Sequence, residues 1–446
     1  MRFADICAGL GGFHKALRRL GHECVFASEI DDELREIYVR NFPDTKKRTF
    51  GDIRIYKDKV PPHDILCAGF PCQPFSKSGS QLGLEDKTQG TIFHEIADIL
   101  KARRPKYVIL ENVGNFERHD KGRTWKIVRE TLEGLGYDVR GTEHITSGGS
   151  GLISPHHLGY PHSRERFYIV AKQGRLPENP FPKVDRSCET TLTDIVQLAK
   201  ELTTQDREET RLTDSQRECI ELWNSLLAKM PEDKVDLPSF PIWGDEIDAT
   251  YPYEEYTPYI APLSELEKCF NGQLLNGNGS NGHQYTREDL LVRLPGYAQT
   301  EEKVFPKWKV VFIRQNREWF KEYRKYFSRR WVEDLKTFPP SLRKLEWNCQ
   351  WEERNLWSHV LQFRPSGLRV KRYSTSPSLV AMTTTQIPIL GPKGRFLTRI
   401  EGLRLQGFND KHRIPQSRDK AFKALGNAVH VDVVRAIARK LLNEQR

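Results

Sequence analysis

No run of apolar residues in this 446-residue chain approaches the roughly 18 needed to span a bilayer, which excludes a membrane-crossing helix. Cysteine occurs eight times, at positions 7, 24, 67, 72, 188, 219, 269 and 349, yet no two form a CxxC pair or a close framework. That spacing argues against a structural zinc and a disulfide-stapled secreted domain, and for reduced thiols in a cytoplasmic protein. Internal repeats and coiled-coil heptads are missing as well. The opening residues, Met1-Arg2-Phe3-Ala4-Asp5-Ile6, lead into a strand-like run rather than a secretory leader. What remains is a chain long enough for two or three domains of roughly 100–200 residues each. Its 70 Lys and Arg against 60 Asp and Glu give a net charge of +10, a moderate excess that favours a polyanionic partner without specifying one.

One stretch presents chemistry directly. Gly69-Phe70-Pro71-Cys72-Gln73-Pro74-Phe75-Ser76 sets a single cysteine between prolines, just after the apolar run Asp64-Ile65-Leu66-Cys67-Ala68. Such a run suits a buried parallel strand whose carboxyl end delivers Cys72 to a crevice. Pro71 and Pro74 remove two amide donors and fix two φ values, so the segment continues as neither strand nor helix. A thiol held there acts as a nucleophile if its surroundings lower its pKa from about 8.5. Most free cysteines are small buried apolar residues, and the octapeptide alone leaves both readings open.

In chain order, a first strand over 3–7 runs into Ala8-Gly9-Leu10-Gly11-Gly12 and an amphipathic helix over 13–20. Glycines at a strand-to-helix turn let a ligand approach the backbone, although such turns also occur with no ligand. A second strand over 23–28 ends in Glu29-Ile30-Asp31, about twenty residues past the glycines, where a Rossmann-type site keeps the carboxylate for a ribose. Gly51-Asp52-Ile53 closes a third unit, and its carboxylate suits an adenine amino group; for either acid, a solvated helix cap is an equally ordinary role. The polar segment 77–90 reads as a lid. A helix bearing Ile92, Phe93, Ile96, Ile99 and Leu100 precedes the strand Tyr107-Val108-Ile109-Leu110, which ends in Glu111-Asn112-Val113. Arg164-Glu165-Arg166 precedes the strand Phe167-Tyr168-Ile169-Val170-Ala171, and alternation puts both arginines on one face. By itself that triplet is an ordinary surface ion-pair ladder.

Together these elements resemble, in order, the motifs of the cytosine carbon-5 DNA methyltransferases. AGLGGF at 8–13 is similar to the family's cofactor loop, and GFPCQPFS contains its Pro-Cys dipeptide at Pro71 and Cys72. Glu111-Asn112-Val113 resembles its ENV motif, and Arg164-Glu165-Arg166 its RxR motif. Residues 397–408 resemble its TxxExxRLQGF block, and Gly426-Asn427-Ala428-Val429 its GN(A/S)V segment. The likeness covers about the first 175 and last 70 residues.

The resemblance implies a reaction. Cytosine carbon 5 is a poor nucleophile, so Cys72 thiolate would first add to carbon 6 of a base flipped out of the duplex. Glu111, protonated in a dry pocket, would hydrogen-bond the ring nitrogen 3 and exocyclic amine; Arg164 and Arg166 would hold the ring oxygen. S-adenosylmethionine is the implied cofactor, S-adenosylhomocysteine the product, and no metal is expected. Carried over position by position, the cofactor contacts are Ala8, Gly9, Leu10, Gly11, Glu29, Ile30, Asp52, Ile53, Pro71, Asn427 and Ala428. Contacts to DNA fall on Gln73, Ser76, Ser78, Asn112 and Val113. Three positions depart from the family pattern: Cys7 stands where an adenine-stacking phenylalanine is usual, Ile30 where an aromatic often follows the ribose acid, and His162 where a glutamine precedes RxR.

The fold class expected is α/β, an open, doubly wound, mostly parallel sheet of the Rossmann-like S-adenosylmethionine-dependent methyltransferase kind. Catalytic residues fall in 1–175, an inserted target recognition domain in 176–375, its end and a hinge in 376–425, and a returning helix in 426–446, beginning near Ala428. Duplex DNA would lie in the cleft between the domains. Residues 301–331 carry ten Lys or Arg against four acids, with Trp308, Phe312, Trp319, Phe320, Tyr323 and Tyr326 among the interleaved aromatics, as phosphate contact requires, although an amphipathic helix packed on its own domain reads the same way. Asn271 to His283 reads as a surface loop, 364–372 as a second basic turn, and Ser378-Leu379-Val380-Ala381 as a strand. A monomeric, cytoplasmic, nucleoid-associated bacterial enzyme of a restriction-modification system is expected, with a cognate endonuclease acting separately. A transfer-RNA methyltransferase, a DNA-binding regulator on an inactive methyltransferase and a small-molecule methyltransferase are the alternatives. The long basic insert and the intact Cys72, Glu111 and Arg166 weigh against them.

Overall fold

The computed structural model describes residues 1–71, 92–141, 151–183, 190–270, 285–381 and 384–442. Cys72, Gln73, Ser76 and Ser78, the polar segment 77–90 and the loop 271–283 lie outside the described residues. The first part of the chain alternates β1 (Arg2–Ile6), α1 (Gly12–Arg18), β2 (Glu23–Ser28), α2 (Asp32–Asn41), β3 (Thr49–Phe50), α3 (Ile53–Tyr56) and β4 (Ile65–Gly69). It continues through α4 (Ile92–Arg103), β5 (Tyr107–Val113), α5 (Arg123–Gly134), β6 (Tyr137–Arg140), β7 (Leu152–Ile153), β8 (His162–Ser163) and β9 (Arg166–Gln173).

These strands form a sheet in the order β3-β2-β1-β4-β5-β9-β6, with β7 also on β9. From β3 to β5 the pairing is parallel; β9 runs antiparallel to β5, β6 and β7. Ile65, Leu66, Cys67, Ala68, Val108, Ile109 and Leu110 are fully buried, because helices cover both faces of a parallel sheet and leave no solvent side to carry alternating polar residues. α4 turns Phe93, Ile96, Ile99 and Leu100 inward at helical spacing. At β1 the strand order reverses, β2 and β3 going to one side and β4 and β5 to the other. A crevice therefore opens at the carboxyl ends of β1 and β4.

The chain divides into two compact units, one of Met1–Thr210, Ser374–Ile387 and Leu397–Arg446, the other of Arg211–Tyr373 and Pro388–Phe396. The boundary expected at 175 thus falls at 210. Residues just past 175 belong to the first unit because Gln197 N–H donates to Glu401 (2.9 Å), Thr398 Oγ1 to Gln197 (2.6 Å) and Arg404 to the Ile195 carbonyl (2.9 Å). Two further expectations are corrected. Only Ser376–Pro377, not 378–381, forms a strand, paired with β8. The last helix begins at Val431, since Gly426 and Asn427 end a separate helix, Arg418–Asn427, and Ala428 is extended (ψ 144°).

The second unit contains a six-stranded sheet that includes Lys344–Asn348, Val360–Arg364 and Gly367–Lys371. Its basic stretch folds as the helix Lys307–Glu322 and the shorter Arg329–Thr337, burying Trp319, Phe320 and Trp331. Arg314, Arg317 and Arg324 pair with Glu254, Glu246 and Asp248 at 2.8–2.9 Å, so part of the positive charge is neutralised within the unit. Among the described residues no helix is long and apolar enough to cross a membrane.

Candidate active site

Where β1 ends, Cys7 (φ 56°), Gly9 (φ 51°) and Gly11 (φ 79°) all lie in the left-handed region, which coils the chain into a tight loop before α1. A Cβ on Gly11 would collide with the Phe42 ring, and one on Gly12 would come within 2.6 Å of the Val429 carbonyl oxygen. The Ala8 amide donates to the Ser28 carbonyl (2.8 Å), and the Gly9 amide to Glu29 Oε2 (2.7 Å). Glu29 Oε1 accepts from the Asp31 amide (3.0 Å), so the carboxylate is clamped between the ends of β1 and β2. Burial raises the Glu29 pKa, and the two amide bonds partly offset that.

A cavity of about 300 Å³ opens here, and of the residues expected at the cofactor it brings together Glu29, Ile30, Asp52, Ile53 and Pro71. Cys7 lines it in the place of the usual phenylalanine, its thiol pushed up to about 12 by burial first and Glu29 second. Ala8, Gly9, Leu10, Gly11, Asn427 and Ala428 do not line it; the loop contributes through its amides and shape. Four lining residues were not anticipated: Ser28, Gly51, Arg54 and Ile92. Ser28 Oγ is buried without a hydrogen-bond partner, and Arg54 grips Asp52 through Nε (2.9 Å) and Nη2 (2.5 Å). That grip holds the Asp52 pKa below the usual carboxylate range. An orphaned hydroxyl, two acids and apolar Ile30 and Ile53 around one cavity fit an adenosyl group, whose hydroxyls and amine need acceptors and whose ring needs an apolar slot.

The second cluster lies at the end of β5. Gly69 and Glu111 are register partners, so the last residues of β4 run beside this acid. Glu111 is 7% exposed, and its Oε1 accepts no hydrogen bond although Arg166 Nε stands 3.1 Å away. Burial drives the Glu111 pKa up, against the pull of Arg166 and then Arg164. Asn112 donates from Nδ2 to the Phe70 carbonyl (2.9 Å), while its Oδ1 accepts from the Val113 amide. It braces the exit of β4. Phe70 is further held between Phe93 and Phe116, both ring centroids 5.7 Å away. Val113 is exposed opposite Arg166.

The two arginines of the triplet do different things. Arg164 precedes β9, so strand alternation does not apply to it; its side chain is 1% exposed. It donates to the carbonyls of Leu379 (3.2 Å), Gly426 (2.6 Å) and Ala428 (3.0 Å). Those bonds draw two carbonyls out of helical pairing and explain the break before Val431. Val429 then packs on Gly12, which ties the GNAV segment to the glycine loop. His162 is buried and donates from Nδ1 to the Leu405 carbonyl (3.1 Å); burial keeps its pKa well below the ordinary value.

A doubly wound sheet with a nucleoside-sized, acid-edged crevice at its switch point defines the Rossmann-like methyltransferase domain. The family model for C-5 cytosine-specific DNA methylases matches residues 1–258 and 280–443, and the chain belongs to that family, whose members use S-adenosylmethionine. It is a DNA cytosine-5 methyltransferase. The Type II methyltransferase M.AluI of Cellulosimicrobium cellulans is 32% identical over all of this chain and 92% of its own length. M.HhaI of Haemophilus parahaemolyticus is 43% identical over 41% of this chain and 53% of its own. Among solved structures, the Dnmt2 methyltransferase of S. pombe aligns over 99% of this chain and 98% of its own at 17% identity and a TM-score of 0.47.

Proposed function

We propose that the first unit holds S-adenosylmethionine in the crevice, with Glu29 on the ribose hydroxyls, Asp52 on the adenine amine and Asn427 toward the methionine end, and that Cys72, Glu111 and Arg166 activate a flipped-out cytosine. The observation that carries this reading is Glu111, a buried carboxyl with a raised pKa and one unbonded oxygen beside Arg166. Protonated, it donates to ring nitrogen 3 while Cys72 thiolate adds to carbon 6, so the electron pair pushed into the ring is met by a hydrogen bond rather than by water. Arg166 stabilises the charge that develops toward the ring oxygen. Arg164 acts one step back, fixing the GNAV segment. When bound, the cofactor supplies the sulfonium methyl taken up at carbon 5. A base or water removes the carbon-5 proton, the ring electrons expel the thiolate, and Cys72 is free again.

The second unit reads duplex DNA, its exposed Arg329 and Arg330 being candidates for phosphate contact. The names of the relatives support a role in restriction-modification, protecting the cell's own DNA in the cytoplasm beside the nucleoid, as a monomer with a separate endonuclease. Bisulfite sequencing of DNA from cells expressing the protein tests product, position and sequence context together. One protected cytosine at a fixed position in a repeated short site is expected; unmodified DNA, with label entering only transfer RNA in vitro, would refute it.

A further inference from the structure

Cys349, Glu352 and His359 meet at the turn that leaves the strand Lys344–Asn348 and enters Val360–Arg364 in the second unit, with one sulfur, oxygen and nitrogen atom each inside 4.8 Å of the others. Cys349 and His359 are 0% and 1% exposed. His359 Nδ1 donates to the Asn355 carbonyl (2.7 Å), which leaves Nε2 as the nitrogen with the lone pair. That Nε2 is buried, makes no hydrogen bond and stands 3.3 Å from Glu352 Oε2. In that tautomer a neutral imidazole turns its lone pair toward the carboxylate oxygen, and a cation between the two atoms would satisfy both.

We propose that these three residues bind a zinc ion. Zinc bonds of about 2.0–2.1 Å at tetrahedral angles place N and O about 3.3 Å apart, the separation these two atoms already have. The sulfur, which needs about 3.6 Å to each, closes by roughly an ångström at most through its own rotamer. The other Glu352 oxygen accepts from Arg372 Nε (2.6 Å), which orients the carboxylate for a single bond to the metal. Thiolate, imidazole and carboxylate together select zinc over magnesium or calcium, and the two anions match its charge. Binding releases the Cys349 thiol proton to solvent, and water takes the fourth position at the partly exposed Glu352 edge. The ion closes the turn that carries Trp351, 97% exposed at φ 70°, and so stiffens its presentation. A search for paired cysteines passes over this site, because its pattern is C-x2-E-x6-H with a single thiol.

The test uses the full chain stripped with a chelator and titrated with zinc, then with cobalt. Wild type is expected to bind zinc at one ion per chain, to gain several degrees in unfolding temperature, and to show a thiolate-to-cobalt charge-transfer band. Cys349→Ser is expected to lose the band, and Glu352→Gln, which keeps the side-chain shape, to bind zinc at least tenfold more weakly with unchanged circular dichroism. Equal zinc affinity in wild type and Glu352→Gln, or an undiminished cobalt band in Cys349→Ser, overturns the proposal.

Discussion

Replacing Arg164 with alanine separates a group that contacts the base from one that holds the fold. Its guanidinium satisfies three buried carbonyls, that of Gly426 in the last turn of a helix and those of Leu379 and Ala428 outside regular structure. A buried acceptor left dry costs about 1–3 kcal/mol, so three would cost about 3–9 kcal/mol if nothing replaced them. Water entering the vacated space recovers part of this, and removing the charge relieves its own burial. The expected loss is about 3–5 kcal/mol, read by urea unfolding followed by circular dichroism. Arg164→Lys keeps a charge but not the fork that spans both segments, and falls between the two. If Arg164 met only the substrate, alanine would leave stability within about 0.5 kcal/mol and lower turnover alone. A loss below about 1 kcal/mol with reduced turnover would therefore refute the clamp.

Glu111→Gln probes the raised carboxyl. Because burial lifts its pKa above the unfolded value of about 4.3, the stability it contributes is full below that value and is lost as pH rises through the folded one. The variant, which does not titrate, should gain on wild type with rising pH by up to about 1.4 kcal/mol per pH unit and then level off; a constant difference between pH 4 and 8 contradicts the assignment. Gly11→Ala meets both a left-handed φ and the Phe42 ring, so a loss of about 2–5 kcal/mol in thermal or urea unfolding is expected, against near-neutrality if the loop can shift. Glu29→Gln turns an amide N–H₂ toward one of the two backbone N–H groups; calorimetry should show S-adenosylmethionine bound roughly 10–100-fold more weakly. Unchanged affinity would remove Glu29 from the site.

Much of this was legible in sequence for a physical reason. Buried parallel strands read as unbroken apolar runs, so β2 was placed at 23–28 and β5 at 107–113, and acids following such runs mark the crevice. Glu29, Asp52 and Pro71 line one cavity as a result. What sequence did not reveal depends on distant partners. Nothing in Arg164-Glu165-Arg166 says that one arginine turns into the unit to bind carbonyls more than two hundred residues away. The same bonds end a helix at Asn427 that its own pattern would continue. Arg54 shares Asp52, and three arginines of the basic helix region find acids some seventy residues earlier; pairings of this kind follow from packing, not from periodicity.

The account turns on a covalent bond between one thiol and carbon 6 of the target cytosine. Duplex DNA carrying 5-fluorocytosine at the modified position cannot lose its carbon-5 substituent, so incubation with enzyme and S-adenosylmethionine should trap the complex. Peptide mass spectrometry should then find the methylated base on Cys72, with no adduct in Cys72→Ser. Turnover without any trapped adduct, or an adduct that persists in Cys72→Ser, would contradict it.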